Sequence, residues 1–247
     1  SILPAHKRSE ILEKTSDIIH AQREEFAKSI SEESGKPIRE ARVEVARSFQ
    51  TFKFAAEEAK RIYGETIPMD AAIGGEGRFA YVERIPLGVI ACITPFNFPL
   101  NLVSHKVGPA IAAGNSVVLK PASATPITSL KLARVLEESG VPSGAFNVIT
   151  GSGGTIGDLL VTDERIAMIT FTGSAEVGKR IKQLAGMKRV TLELGSNSAV
   201  IVEEDGDMNQ AVPRIVAGGF GNSRQTCISV QRVYVHKNIF NDFLSKL

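Results

Sequence analysis

The chain has 247 residues, 43% of them apolar and 23% charged, and its 29 basic against 27 acidic side chains leave a net charge of +2. This balance fits a core-forming globular protein and excludes disordered or collagen-like chains. A charge so near neutral also excludes a nucleic-acid or anionic-membrane partner recruited by field alone. Two cysteines, Cys92 and Cys227, are too few for a disulfide framework. These residues contain no apolar run of membrane-spanning length and no secretory n-region, so a reducing cytoplasm is the expected compartment. The start at Ser1 and the stop at Leu247, inside the helix-like spacing of Phe240, Phe243 and Leu244, suggest a piece of a longer protein.

Ile11, Leu12, Thr15, Ile18, Ile19, Gln22, Phe26 and Ile30 trace a helical stripe that ends at Ser34-Gly35-Lys36-Pro37, predicting one long surface helix. A second stripe from Ala41 through Val45, Phe49, Phe52, Ala56 and Ala59 to Ile62 closes at Tyr63-Gly64, predicting a helical hairpin with the first. Phe79, Tyr81, Val82 and Ile85 then change the period to that of a strand and lead to a tight turn at Pro86-Leu87-Gly88.

From Val89 the rhythm is strand, loop, helix. Strands are expected at 89–93, 116–120, 146–149, 166–171 and 190–194, with helices at 100–113, 127–139 and from Ser174 to about Ala185. Apolar strands alternating with helices indicate a parallel sheet covered on both faces, with ligands bound off the strands' carboxyl ends. The polar punctuation lies at those ends. Gly151 to Gly157 is one residue off the usual dinucleotide spacing, and Gly173-Ser174 stands where a helix would offer free amides to a pyrophosphate. Each loop alone could be a tight turn that needs glycine. The two together, beside Lys120, point to a dinucleotide.

Cys227 sits in the polar stretch Gly221-Asn222-Ser223-Arg224-Gln225-Thr226, ahead of the strand-like residues Arg232 to Val235. A thiol where the chain turns is placed for nucleophilic chemistry, the alternative being a small buried hydrophobe.

Thr94-Pro95-Phe96-Asn97-Phe98-Pro99-Leu100, Gly114-Asn115-Ser116-Val117-Val118-Leu119-Lys120-Pro121, Phe171-Thr172-Gly173-Ser174, Leu192-Glu193-Leu194-Gly195 and Gln225-Thr226-Cys227 stand in the order and spacing of one family. In these motifs the chain resembles the aldehyde dehydrogenase superfamily, along nearly all of its length, whereas full-length members are much longer. The resemblance implies an α/β fold: a parallel Rossmann-like sheet with helices on both faces, plus the start of a second α/β catalytic domain. Residues 1–194 would form the NAD(P)-binding domain, with an oligomerisation-type β-flap near residues 77–88. Residues 195–247 would begin the catalytic domain, and a homo-oligomer, dimer or tetramer, is implied for the full-length protein.

By the same resemblance Cys227 is the nucleophile that attacks an aldehyde to give a thiohemiacetal and then a thioester. Asn97 is the side-chain oxyanion donor beside the Cys227 amide, the alternative being an Asn that caps the next helix. Glu193 is the base that activates the hydrolytic water, set among Leu192, Leu194 and Gly195; the alternative is a solvent-facing strand-end Glu. Lys106 matches a family lysine, a solvated helix lysine being the alternative. The implied cofactor, NAD or NADP, would lie on Thr94, Pro95, Phe96, Lys120, Ala122, Ser123, Gly153, Gly157, Phe171, Thr172, Gly173, Ser174, Val177 and Leu194. No metal is implied. Two residues depart from the pattern. Ser123 replaces the Glu that NAD-preferring relatives often place on the ribose, which makes NADP plausible, and Arg224 stands where a Gly is usual. The implied reaction oxidises an aldehyde to a carboxylic acid. A CoA-acylating semialdehyde dehydrogenase and a non-catalytic nucleotide-binding domain are the alternatives, and Glu193 argues against the first.

Overall fold

A computed structural model describes residues 3–247. Its centre is a five-stranded, wholly parallel sheet in the order β5-β4-β3-β6-β7, formed by β3 (Val89–Ile93), β4 (Ser116–Lys120), β5 (Phe146–Val148), β6 (Ile166–Thr172) and β7 (Arg189–Glu193). The chain builds outward from β3 to β5, then crosses back to lay β6 on the other side of β3. The strand order therefore reverses between β3 and β6, and their carboxyl ends open a crevice where ligands bind in such sheets.

Alternation along the strands sorts the core into two layers. Ile90, Cys92, Val117 and Leu119 face one layer, built with α1 (Ala5–Ala21), α2 (Arg23–Ser34), α3 (Ile38–Ala59), α4 (Asn101–Ala112) and α5 (Ile127–Ser139). Ala91, Ile93, Ile169 and Phe171 face the other, against α6 (Asp158–Thr162) and α7 (Ala175–Leu184). The expected Rossmann-like sheet, covered on both faces, is thus present. Beyond it, β8 (Ser198–Val202) and β9 (Val230–Val235) pair in parallel and pack with α8 (Met208–Phe220) and α9 (Phe240–Lys246) around Val202, Met208, Val212, Ile215 and Phe243.

Four expectations are corrected. The first stripe is two helices, broken at Gln22 (φ −93°, ψ 20°). Helix-end chemistry lies inside the unbroken apolar period: Arg23 donates to the His20 carbonyl, and Glu24 and Glu25 occupy the first turn of α2. The second helix ends at Ala59, leaving Ile62 exposed. The fifth strand is an edge strand of alternating exposure, not a buried apolar run. The flap is a hairpin of β1 (Glu65–Ile67) and β2 (Ala80–Val82), antiparallel, whose first strand the sequence pattern did not indicate. Among the described residues no helix is long and apolar enough to cross a membrane.

Candidate active site

Cys227 is presented by an unusual backbone. After α8 the chain makes a left-handed turn through Asn222, Ser223 and Arg224, with φ values of 50°, 52° and 66°. Asn tolerates this region, but for most L-residues it costs roughly 1–2 kcal/mol each. Asn222 is buried and holds the turn: its amide N–H donates to the Glu40 carboxylate at 3.0 Å, and its Nδ2 is shared between the Asn97 and Gln225 carbonyls, both at 3.2 Å. Ser229, also buried, donates to the Gly219 carbonyl at 3.2 Å and closes the loop onto α8. Between these anchors Cys227 is exposed with a free thiol, and its carbonyl accepts a short hydrogen bond from Ser196 Oγ. The Arg224 guanidinium lies over the Phe220 ring, 5.7 Å from its centroid.

Asn97, on the loop between β3 and α4, reaches this turn. Its Nδ2 donates to the Gln225 carbonyl at 2.7 Å. A carboxamide NH₂ carries two protons, so one donor remains available. Asn97 does not cap α4; that helix start is served by Glu44, whose Oε1 accepts from the Leu100 and Asn101 amides at 2.9 and 3.1 Å. Glu44 Oε2 pairs at 2.5 Å with Lys36 Nζ, both side chains almost wholly buried, and Lys36 donates to the Asn97 carbonyl at 2.7 Å. Burial pushes the Lys36 ammonium below its ordinary pKa, with the Glu44 charge opposing. A cavity of about 280 Å³ borders the loop, and Arg47, Phe98, Thr226 and Ile228 are among its walls.

Glu193 ends β7, registered beside Thr172, and is exposed; the apolar enclosure expected from Leu192, Leu194 and Gly195 is absent because β7 is an edge strand. Lys106 departs from the solvated alternative: it is buried on α4 and donates to Thr170 Oγ1 at 3.0 Å. Burial pushes its ammonium down, while Cys92 and Glu193 nearby oppose this. Cys92 itself is inaccessible, and burial pushes its thiol up to about 12.

At the carboxyl ends of β3, β4 and β6 a cleft of about 350 Å³ brings together Lys120, Gly153, Gly157, Phe171 and Val177. Lys120 is buried, and that burial pushes its ammonium pKa down. Gly153 to Gly157 form one π-helical turn in which Ser152 Oγ accepts from the Thr155 amide, and Ser174 Oγ likewise caps α7 by accepting from Val177. Nothing stands within 4 Å of where a Cβ on Gly153, Gly154 or Gly157 would project, so the turn leaves an open cradle. Thr94 and Thr172 each hold a buried hydroxyl with no protein partner at this edge. A phosphate-bearing dinucleotide fits such residues, because helix N-termini and spare hydroxyls both favour anionic oxygens. Pro95 is half-buried and Phe96 exposed on the loop after β3, and Ala122 is half-buried on the loop after β4. Exposed Ser123 joins two loops by donating to the Gly151 carbonyl at 2.9 Å. Gly173 donates to the Glu193 carbonyl at 3.0 Å, and Leu194 packs into the notch at Gly178.

Sequence reasoning missed Lys36, Glu44, Asn222 and Ser196, as well as the Arg180–Asp158 pair at 2.5 Å in the cleft wall. Only Asn222 carried a usable signal, since Asn after Gly is common where φ turns positive.

The profile of the aldehyde dehydrogenase family matches residues 1–247. The 3-sulfolactaldehyde dehydrogenase of Priestia megaterium is 52% identical over 242 residues, 98% of this chain and 51% of that protein. Among solved structures, the glyceraldehyde-3-phosphate dehydrogenase GapN of Methanocaldococcus jannaschii, complexed with NADP, superposes with a TM-score of 0.94 at 42% identity, over 99% of this chain and 53% of that one. An NAD-dependent aldehyde dehydrogenase of Sinorhizobium meliloti superposes with a TM-score of 0.95 at 39% identity, over 99% and 48%. The chain spans about half the length of the curated relatives it matches. On the profile match along its whole length, the chain belongs to the aldehyde dehydrogenase family.

Proposed function

We propose that this chain is the cofactor-binding part and the nucleophile-bearing start of an NAD(P)-dependent aldehyde dehydrogenase that oxidises an aldehyde to a carboxylic acid. The observation that carries the reading is the Asn97–Gln225 hydrogen bond, which brings an amide donor to the loop of an exposed cysteine. In this reading Cys227 attacks the aldehyde carbon, and the oxyanion of the thiohemiacetal is held by the spare Asn97 proton and the Cys227 amide. One such donor contributes about 3 kcal/mol to the transition state. Nicotinamide, when bound, supplies the two-electron acceptor. Glu193, open to solvent, takes a proton from the water that cleaves the Cys227 thioester, releasing the acid and restoring the thiol. Lys106 places a buried cation behind this edge of the sheet.

Thr94, Lys120, Gly153, Gly157, Thr172, Gly173 and Ser174 would hold the phosphates and adenosine, with Pro95, Phe96, Ala122, Ser123, Phe171, Val177 and Leu194 around them. Residues 1–194 would form the cofactor domain and 195–247 the beginning of the catalytic one. Relatives named for 3-sulfolactaldehyde and lactaldehyde support a short hydroxylated aldehyde as substrate. Exposed Phe79, Tyr81, Val82 and Ile85 around the hairpin support self-association of the full-length protein, and two free cysteines suit a cytoplasmic setting.

The test is NAD(P)H formation from lactaldehyde by the full-length protein and its Cys227→Ala variant. Turnover that vanishes in the variant supports the reading; parental turnover by Cys227→Ala overturns it.

A further inference from the structure

We infer that the buried Lys36–Glu44 pair is a positioning device for Asn97, a role that rests on the reading of Asn97 as oxyanion donor. A buried ion pair is poor evidence of stability, because desolvation of both charges offsets their attraction and apolar replacements are often as stable. What distinguishes this pair is where its remaining bonds go. Lys36 Nζ donates to the Asn97 carbonyl at 2.7 Å, and Glu44 Oε1 accepts from Leu100 and Asn101 at 2.9 and 3.1 Å. The pair thus grips the loop between β3 and α4 at the donor residue and at the start of the helix that follows.

The grip continues into the nucleophile loop. The Asn97 carbonyl that receives Lys36 also receives Asn222 Nδ2, and the Gln225 carbonyl that receives Asn222 Nδ2 also receives Asn97 Nδ2. The main chain of Asn97 is therefore fixed from two directions and its side chain by the bond to Gln225, which leaves one Nδ2 proton free to donate. Lys36 also lies 3.8 Å from the Phe98 ring centroid, which steadies the neighbouring residue. Lys36 is set by the Gly35 turn (φ 70°) at the end of α2, and Glu44 by α3, so the frame belongs to the helical layer rather than to the site itself.

The test is a mutant cycle in the full-length protein with Lys36→Met, Glu44→Gln and Asn97→Ala, recording kcat, KM for lactaldehyde, cofactor affinity and thermal unfolding. Lys36→Met is expected to lower kcat by about tenfold to a hundredfold, the scale of an ångström-sized misplacement, with KM and cofactor affinity near parental. In the Asn97→Ala background the same substitution is expected to lower kcat no further. A folded Lys36→Met protein with parental kcat would overturn the inference, as would an equal loss in both backgrounds, which marks a general structural role. If Lys36→Met does not fold, Glu44→Gln, which keeps shape and acceptor while removing the charge, decides by the same readouts. Parental kcat in Asn97→Ala alone would instead overturn the oxyanion reading, and this inference with it.

Discussion

Asn97 and Gln225, 128 residues apart in the chain, are joined by a 2.7 Å hydrogen bond from the Asn97 carboxamide to the Gln225 carbonyl. Through it the loop after the first strand of the parallel sheet is tied to the loop that carries Cys227. The arrangement has consequences that can be measured.

The two thiols should differ sharply in reactivity. Cys227 is exposed, whereas Cys92 is inaccessible with its thiol pushed up to about 12. Only the thiolate reacts, so iodoacetamide should label Cys227 in the folded protein and Cys92 only after unfolding. Peptide mapping that finds Cys92 labelled first, or at an equal rate, contradicts the assignment.

Cys92 should also leave a mark on stability. Its folded-state value, raised from 9.0 to about 12, means the native protein keeps a proton that the unfolded chain loses. The contribution is therefore complete below pH 9 and is lost as pH rises from there towards 12, by about 1.4 kcal/mol per unit in that window. Denaturant titrations of parent and Cys92→Ala should diverge in slope above pH 9 and run parallel below it. Parallel slopes throughout would show that Cys92 does not titrate this way.

Arg224 occupies a backbone position with φ 66°, which only glycine adopts without cost. Arg224→Gly removes strain of about 1–2 kcal/mol but adds about 0.5–1 kcal/mol of unfolded-state entropy. Arg224→Ala loses the same contact with Phe220 and keeps the strain. The Gly variant should therefore be the more stable of the two by about 0.5–1 kcal/mol, read from denaturant midpoints. An Ala variant at least as stable would mean the left-handed turn is not strained at this residue.

Ser123 should set cofactor preference. It lies exposed on the loop after β4 and donates to the Gly151 carbonyl beside the open glycine cradle. A carboxylate there would repel a 2′-phosphate and accept from a 2′-hydroxyl, so Ser123→Glu should shift preference from NADP towards NAD by about 1–3 kcal/mol. Unchanged kcat/KM for both cofactors would remove Ser123 from the 2′ position.

Much of the fold was legible because its signals are local. The runs Val89–Ile93 and Ser116–Lys120 and the helix Ile127–Ser139 fall within the residues their periodicity marked. The break at Gln22 was hidden because the apolar stripe runs through it, and β1 because three exposed residues carry no pattern. At the site, the motifs pointed to Asn97, Lys120 and Cys227, and the structure brings Asn97 to the loop of Cys227. Lys36 and Glu44 were illegible for a different reason. A charged residue after a helix-ending glycine and another within an amphipathic helix both look solvent-facing. Only the three-dimensional path of the chain buries them together beneath Asn97. Glu193 is exposed at the end of an edge strand, a position its apolar neighbours in sequence did not indicate.

The most direct test of Cys227 as nucleophile and Glu193 as base is a rapid-mixing experiment on the full-length Glu193→Gln protein with lactaldehyde and NAD(P). Formation of NAD(P)H precedes the step that needs the base, so a burst of about one equivalent per site followed by a stall is predicted. Mass spectrometry of the stalled protein should place the acyl group on the peptide containing Cys227. Steady turnover at the parental rate, or an acyl group on any other residue, would contradict the account.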